Sequence, residues 1–299
     1  MILQESNGTL KTVARREFPT EKQLQTLIEN NLEEIFGCKL IATEFSTGNV
    51  HSGRIDTLAI SENGNPVIIE YKKVENSNLV TQGLFYLDWI KDHKGDFQVA
   101  AEQKLGNIEI NWSNIRVICI APSFDKYSLH AVNHLGAGLE LWQYHLYENG
   151  VLEIDEIFGA SQAQKNLKNG GKSSSPKSID NAEYSVQTHR LRGSETVREV
   201  FDAIDEQLLS LNPSISAVPQ KHYIAYKFAK NIACIEVQAK KLKLWIHLPF
   251  DDTMPSFVKD VAGIGHYGTG NLEISLTEPA QVDQAMELIK RAYLRAGGD

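Results

Sequence analysis

Residues 53–60, GRIDTLAI, and residues 66–72, PVIIEYK, decide the fold of the first half of the chain. Both runs are rich in branched apolar residues, and the polar segment SENGN between them is a hairpin signal. If residues 62–64 form the loop and Gly64 supplies a positive φ angle, the numbers of paired residues sum to 126. Asp56 then lies opposite Glu70, and strand alternation places Glu70 and Lys72 on one face of the sheet.

The paired carboxylates predict a metal site. Asp56 and Glu70 at that separation can share a divalent cation of the oxygen-binding kind, whereas without a cation each raises the pKa of the other. Lys72 adds a positive charge that can orient an attacking water or offset charge on a phosphate. The same register puts Arg54 beside Lys72, where it could contact a phosphate.

A purely structural interpretation of these residues is also open. Asp56 can be a turn residue at a strand end, and Glu70 with Lys72 can be an exposed ion pair that contributes little to stability. However, the segment VIIEYK is apolar on both faces, so its charges lie among core-forming residues. Because charged groups at the end of a buried strand are commonly functional, the pattern favours the functional interpretation.

The sequence GRIDTLAI…PVIIEYKK resembles the core of the PD-(D/E)XK nuclease superfamily, in which an Asp, a Glu on the next strand and a Lys two residues later bind metal and activate water. It is most similar to the NucS-type, RecB-like endonucleases, which act on branched or mismatched DNA. Their domain opens with a Ser/Thr-Glu-x-x-Leu helix, here residues 20–24, and carries a Gln-x-x-x-Tyr helix after the EXK strand, here residues 82–86. The resemblance covers about residues 18–120.

The resemblance implies a restriction-endonuclease-like fold and a bound Mg²⁺ or Mn²⁺ ion. Asp56 and Glu70 would hold the ion, a backbone carbonyl of residues 69–71 could add a ligand, and Lys72 would position the hydrolytic water. The sequence is therefore expected to encode a divalent-metal-dependent endonuclease. The alternative is a catalytically silent module that keeps the nuclease fold to bind nucleic acid or protein.

Three further site residues are implied by the same resemblance. Glu21 would be an outer metal ligand, although Glu33 on the same helix remains the alternative acid and an acidic helix is commonly just a solvated face. Gln82 and Tyr86 are four residues apart and share a helix face. They would line the site, whereas in the structural interpretation they lie at the rim of the core.

The surrounding pattern predicts an α/β domain over residues 1–160, with a mixed sheet flanked by helices. Periodic apolar residues predict a helix over 20–36 with Thr20 as its N-cap and Gly37 after its end, and a second helix over 79–92. The remaining elements are strands and a helix, predicted at 41–45, 115–122, 124–135 (the helix), 139–147 and 151–157. Residues 161–189 are rich in Gly, Ser, Asn, Lys and Gln and predict a flexible linker.

Residues 190–299 predict a smaller α+β domain. An amphipathic helix at 195–211 and a closing helix at 282–296 flank four antiparallel strands, and the domain resembles an uncharacterised one that follows nuclease-like domains in bacterial proteins. That domain is sometimes labelled a predicted transport protein. No apolar run reaches the about 18 residues of a membrane span, so a literal transport role is not expected.

Charge limits how this chain can bind nucleic acid. Residues 1–160 hold 13 Lys and Arg against 22 Asp and Glu, a net charge of −9, while residues 190–299 are near neutral at −1. Because phosphate binding requires a clustered basic face, metal ions and a few local cations must offset the repulsion. The DNA-binding domain of NucS-type enzymes has no counterpart here, so residues 190–299 are expected to target the substrate.

Lys241 and Lys243 are the predicted nucleic-acid contacts of this second domain. Strand alternation places them on one face, where they would form a basic rim beside Tyr223 and Tyr226 for stacked bases. Assembly into homo-oligomers or binding of a protein partner is the alternative role. The expected partner is nucleic acid, with DNA as the expected class, and no membrane.

The three cysteines indicate the cellular compartment in which the protein folds. Cys38, Cys119 and Cys234 are scattered, and none belongs to a CxxC motif or a Cys/His cluster. This spacing argues against a disulfide framework and against structural zinc, and it fits the reducing cytoplasm of a bacterium.

Overall fold

The computed structural model describes residues 1–132, 138–158 and 184–298, and the chain divides into two compact units, Met1–Gly170 and Gly171–Asp299. Most of the predicted linker, residues 161–183, lies outside the described residues. The end of that segment differs from the prediction, because residues 186–190 form a short helix and His189 is fully buried. The last residues of the predicted linker are therefore part of the folded second unit.

The first unit is built on one curled, mixed sheet. Its described strands, after an exposed hairpin of β1 (Leu3–Ser6) and β2 (Thr9–Thr12), are β3 (Arg15–Arg16), β4 (Cys38–Ser46), β5 (Arg54–Ser61), β6 (Pro66–Tyr71), β7 (Arg116–Ala121), β8 (Leu139–Tyr147) and β9 (Leu152–Phe158). Their order is β3-β8-β7-β6-β5-β4, with β9 on β8. β6, β7 and β8 run parallel and the other pairs are antiparallel. The predicted fold class, a mixed sheet flanked by helices with an additional sheet-rich region, is confirmed.

The β5–β6 hairpin has the predicted register. Thr57 pairs with Ile69 and Ile60 with Pro66, so the paired numbers sum to 126. Gly64 has a φ of +76°, and its N–H donates to the Ser61 carbonyl at 2.9 Å. The odd-length loop keeps Asp56 and Glu70 at facing positions, because a slip of one residue would turn one of them to the other face.

Helices cover the sheet. The described ones in this unit are α1 (Glu21–Glu29), α2 (Leu32–Phe36), α3 (Gly48–His51), α4 (Leu79–Asp92), α5 (Lys94–Leu105) and α6 (Lys126–Val132). α1 packs near β5 and β6, whereas α4 packs against β6 and β7. Residues 133–135 of the helix predicted at 124–135 lie outside the described residues.

The helix predicted over residues 20–36 is two helices. Thr20 caps α1 by accepting a hydrogen bond from the Gln23 N–H, and Gly37 ends α2 in the left-handed conformation, both as predicted. Between them the side chain of Asn31 donates to the Leu27 carbonyl at 2.8 Å. Because this bond satisfies a carbonyl at the end of α1, the chain can turn before it re-enters a helix.

The second unit is an antiparallel sheet covered by helices. Its described elements are α7 (Val186–Arg190), α8 (Glu195–Leu211), β10 (Ser216–Pro219), β11 (Ile224–Lys227), β12 (Asn231–Val237), β13 (Leu242–Ile246), β14 (Val258–Asp260), β15 (Leu272–Leu276) and α9 (Val282–Arg295). The strand order is β10-β11-β12-β13-β15-β14. Its main core joins alternate residues of β11, β12, β13 and β15 to α8 and α9. Across the described residues, no helix is long and apolar enough to cross a membrane.

Candidate active site

The carboxylates of Asp56 and Glu70 each accept a hydrogen bond from a backbone N–H of the opposite strand. The Asp56 N–H donates to Oε1 of Glu70 at 3.1 Å, and the Tyr71 N–H donates to Oδ2 of Asp56 at 3.2 Å. These bonds lie one step beyond the Thr57–Ile69 pair that ends the described β5–β6 pairing. Each carboxylate is therefore fixed by the backbone of the opposite strand.

Glu70 is a buried carboxylate with an unsatisfied oxygen. Its side chain is 0 % exposed, and among the described residues no donor reaches Oε2. Burial and then the charge of Asp56 raise the pKa of Glu70 to about 9. Burial also raises the pKa of Asp56, against the opposing effects of the Tyr71 N–H and Lys72. Two such carboxylates cannot both be charged at low cost without a cation between them.

Lys72 lies beside this pair and is held by Glu21. Its Nζ is 3.1 Å from Oε1 of Glu21 and donates to the Tyr71 carbonyl at 2.8 Å. The other oxygen of Glu21 accepts a hydrogen bond from the Lys73 N–H at 3.3 Å. The helix acid that reaches the site is thus Glu21, whereas Glu33 is exposed on α2.

Tyr86 positions the start of β5. Its hydroxyl donates to the Arg54 carbonyl at 2.8 Å and accepts from the Arg54 N–H at 3.1 Å. Gly53 allows this close approach, because a Cβ there would lie 2.9 Å from the tyrosine ring. Gln82, one turn earlier on α4, is half-buried, and no hydrogen bond within the described part of the chain links its side chain to Asp56 or Glu70. The structure therefore brings Tyr86 to the backbone of β5 and leaves Gln82 without such a contact.

The buried side-chain amide of Gln25, which the sequence pattern does not reveal, holds the backbone of Asp56. Gln25 is buried on α1, and its Nε2 donates to the Asp56 carbonyl at 2.6 Å and to Glu29 at 3.0 Å. Glu29 in turn accepts from the Thr57 hydroxyl at 2.6 Å. Gln25 lies four residues after Glu21 and hence on the same helix face, which was the only signal in the sequence.

Arg54 and Glu44 form an ion pair at the edge of the site. The guanidinium Nε of Arg54 contacts Oε2 of Glu44, and Lys22 Nζ lies 3.5 Å from Oε1 of the same carboxylate. Arg54 comes two residues before Asp56 on β5, so the two side chains share a face. The predicted neighbour of Arg54, Lys72, is paired with Glu21 instead.

The predicted stacking surface of the second unit is wrong. Tyr226 is 0 % exposed and Tyr223 is also buried, because both side chains belong to the packed interior of that unit. Lys243 is held by Glu273 at 2.9 Å, whereas Lys241 is half-exposed just before β13. Only the lysines of the predicted rim are accessible at all, and one of them is already paired.

The donor set for a metal is small. Within the described ranges, no group of three or more His, Cys, Asp or Glu side chains is arranged to hold an ion. Asp56 and Glu70 therefore provide two carboxylates, and the unsatisfied Oε2 of Glu70 gives a cation a vacant acceptor. Backbone carbonyls and water are common additional ligands for Mg²⁺ and Mn²⁺.

Comparison with known proteins finds matches over both units. Residues 187–295 match a family model described as a domain of unknown function, DUF5655. Over 301 aligned residues, the chain is 33% identical to an uncharacterized protein of Haemophilus influenzae (strain ATCC 51907 / DSM 11121 / KW20 / Rd), covering 97% of this chain and 98% of that protein.

Solved structures show weaker similarity. The EndoMS–dsDNA2 complex matches 44% of this chain and 48% of its own at 23% identity, with a TM-score of 0.31. A repair endonuclease from Pyrococcus abyssi matches 43% of this chain and 48% of its own at 22% identity, with a TM-score of 0.25. The match thus spans about half the length of each of these solved structures.

Proposed function

The chain belongs to the family of the uncharacterized Haemophilus influenzae protein, and we propose that this protein is a divalent-metal-dependent nuclease with its active site in the unit Met1–Gly170. The observation that carries the proposal is the unsatisfied Oε2 of Glu70, buried beside Asp56 at the paired strand position. A buried carboxylate pair of this kind is costly in a purely structural role, and it is suited to a cation.

The residues present fit an Mg²⁺ or Mn²⁺ ion. Asp56 and Glu70 would hold it, and a backbone carbonyl of residues 69–71 could contribute as well. When bound, such an ion supplies a Lewis acid that lowers the pKa of water and offsets phosphate charge. The N–H groups of Asp56 and Tyr71 orient the carboxylates of Glu70 and Asp56, respectively.

Lys72 and Glu21 complete the chemistry of the site. In this proposal the ammonium of Lys72 positions the attacking water and stabilises negative charge on the phosphate, because it lies next to both carboxylates. Glu21 fixes the ammonium at 3.1 Å and acts as an outer acid of the site. Tyr86 and Gln25 hold the backbone on either side of Asp56, and Gln82 lines the approach along α4.

The proposed substrate is nucleic acid, with DNA as the preferred class. This assignment rests on the D…EXK arrangement and on Arg54, whose exposed guanidinium lies on the same strand as Asp56. The second unit is proposed to target the substrate through Lys241 and Lys243, or to assemble copies of the chain. The three cysteines are buried and form no disulfide among the described residues, which accords with a proposed cytoplasmic location.

Cleavage assays with Asp56→Ala, Glu70→Ala and Lys72→Ala test the proposal. The wild-type protein should cleave a panel of single-stranded, duplex and branched DNA and RNA oligonucleotides in Mn²⁺. Each variant should lose about 10²-fold or more in rate, since each removes a group that acts at the phosphate. Glu199→Gln, an exposed change on α8, is the matched control. Undiminished cleavage by Glu70→Ala would exclude the assignment.

The second candidate is a silent binding module with the same fold. The net charge of −9 over residues 1–160 favours the form of this module that binds protein, because any site for nucleic acid must attract a polyanion. Thermal melting separates the two. A nuclease site gains stability when Mn²⁺ is added, and that gain is absent in Glu70→Ala. A silent module shows no response to Mn²⁺, whether its ligand is nucleic acid or protein.

A further inference from the structure

Glu44 has a strained backbone at the position opposite Asp56. β4 and β5 pair Thr43 with Thr57 and Phe45 with Ile55, which places Glu44 across from Asp56. The φ angle of Glu44 is +55°, a left-handed value that residues other than glycine rarely adopt. Among the described non-glycine residues with positive φ, it is the one inside a strand. Such strain persists only where the surrounding contacts enforce it, and it clusters at functional sites.

The contacts of Glu44 involve one particular nitrogen of Arg54. The carboxylate of Glu44 forms an ion pair with Nε of Arg54 through Oε2, an oxygen that accepts no hydrogen bond among the described residues. The two terminal nitrogens of the guanidinium donate no hydrogen bond in the same part of the chain. The side chain of Arg54 is 67% exposed, so these nitrogens are open to a ligand. Terminal guanidinium nitrogens form the fork that binds phosphate with two parallel bonds.

Arg54 lies among other charged groups, which affect the ligand that its guanidinium can bind. Arg54 shares a sheet face with Asp56, and Lys22 provides a second cation 3.5 Å from Glu44. A guanidinium fixed at Nε next to a carboxylate pair is oriented before any substrate arrives. Preorganised donors of this kind stabilise a charged group more effectively than mobile ones.

We propose that Glu44 is a positioning residue for the cleavage reaction, in which it holds Arg54 at Nε so that the terminal nitrogens bind a substrate phosphate beside Asp56. The inference rests on the nuclease function proposed above. Glu44 itself touches no substrate, and the left-handed backbone at this position is what brings its carboxylate to Arg54. Arg54 therefore makes the phosphate contact, and Glu44 fixes the orientation of its guanidinium.

A double-mutant cycle tests this coupling. Glu44→Gly removes the carboxylate and suits a positive φ, so Tm should not fall. Its kcat/KM for Mn²⁺-dependent cleavage of DNA oligonucleotides should fall on the order of tenfold, since the guanidinium loses its orientation. In an Arg54→Ala background the same change should have almost no effect. Glu44→Gln keeps an oxygen acceptor for Nε and should retain more activity, and Glu199→Gln is the control.

Two results would overturn the inference. One is full kcat/KM in Glu44→Gly, and the other is that the effects of Glu44→Gly and Arg54→Ala simply multiply. A wild-type protein that cleaves none of the oligonucleotides contradicts the proposed nuclease function instead. The coupling is then measured on the binding of the same oligonucleotides in Ca²⁺, where independence of the two changes would again exclude a role for Glu44.

Discussion

At the scale of single residues, Glu70 should make the stability of the metal-free protein depend on pH. Its pKa is about 9 in the folded protein against an ordinary 4.5, so the protonated form is the one that the fold favours. The stability from this group is full below the ordinary pKa and is lost as the pH rises through the folded pKa. In EDTA, we therefore expect Tm to fall between about pH 5 and about pH 9.

The matched change is Glu70→Gln, which keeps the shape of the side chain and cannot ionise. This variant should lose most of the pH slope and melt higher than the wild type in EDTA at alkaline pH, as measured by circular dichroism. Mn²⁺ should raise Tm in the wild type and leave the variant unchanged. If both proteins show the same slope, Glu70 is not the titrating group.

The sequence predicts Asp56, Glu70 and Lys72 but does not reveal every residue around them. Asp56, Glu70 and Lys72 could be found because strand alternation and an odd-length loop determine their faces. Gln25 and Glu44 could not, because their roles depend on contacts between distant segments, the Gln25 amide with the Asp56 carbonyl and the Glu44 carboxylate with Arg54. A left-handed glutamate inside a strand has no sequence signature at all.

At the scale of elements, the β5–β6 loop carries the register and can be tested at Gly64. Its φ is +76°, and an added Cβ would lie 3.2 Å from the Glu109 carbonyl. Gly64→Ala should therefore lower stability by about 1–2 kcal/mol, the cost of a left-handed non-glycine residue. Denaturant unfolding measures this loss, and the response of Tm to Mn²⁺ should survive because the strands keep their pairing.

Gly95 provides the opposite control. It lies near the start of α5, and a Cβ there meets nothing within 4 Å. Gly95→Ala should raise stability by about 0.5–1 kcal/mol, since glycine is a poor helix former. If Gly95→Ala lost as much stability as Gly64→Ala, backbone conformation would not be the cause of the loss at Gly64.

Other elements show where local patterns suffice and where they fail. The helices α4 and α8 begin and end at the predicted residues, because their apolar residues repeat at helical spacing. α5 was not predicted, since only Phe97 and Ala101 are buried and its apolar pattern is weak. The hairpin β1–β2 was also missed, although Asn7 and Gly8 both have the positive φ of a tight hairpin turn.

At the scale of the whole molecule, the two units differ in charge and in the function that their residues support. The first unit contains the curled mixed sheet and the Asp56–Glu70 carboxylate pair, and it is strongly acidic over residues 1–160. The second unit matches a domain model of unknown function over residues 187–295 and is near neutral. The sequence could separate the two by composition, yet burial of Tyr223 and Tyr226 removes the base-stacking role predicted there. Of the residues predicted to contact nucleic acid there, only the lysines are therefore accessible.

Lys241 is the residue through which that idea can be tested in the full-length protein. It is half-exposed, whereas Lys243 is paired with Glu273, so reversing Lys243 would place two carboxylates together and confuse folding with binding. Lys241→Glu should weaken oligonucleotide binding in Ca²⁺ and reduce the salt dependence by about one phosphate contact. Lys290→Glu, exposed on α9, should change neither. Unchanged binding by Lys241→Glu, together with self-association in sedimentation, would assign the second unit to assembly, because the charge of Lys241 would then contact no phosphate.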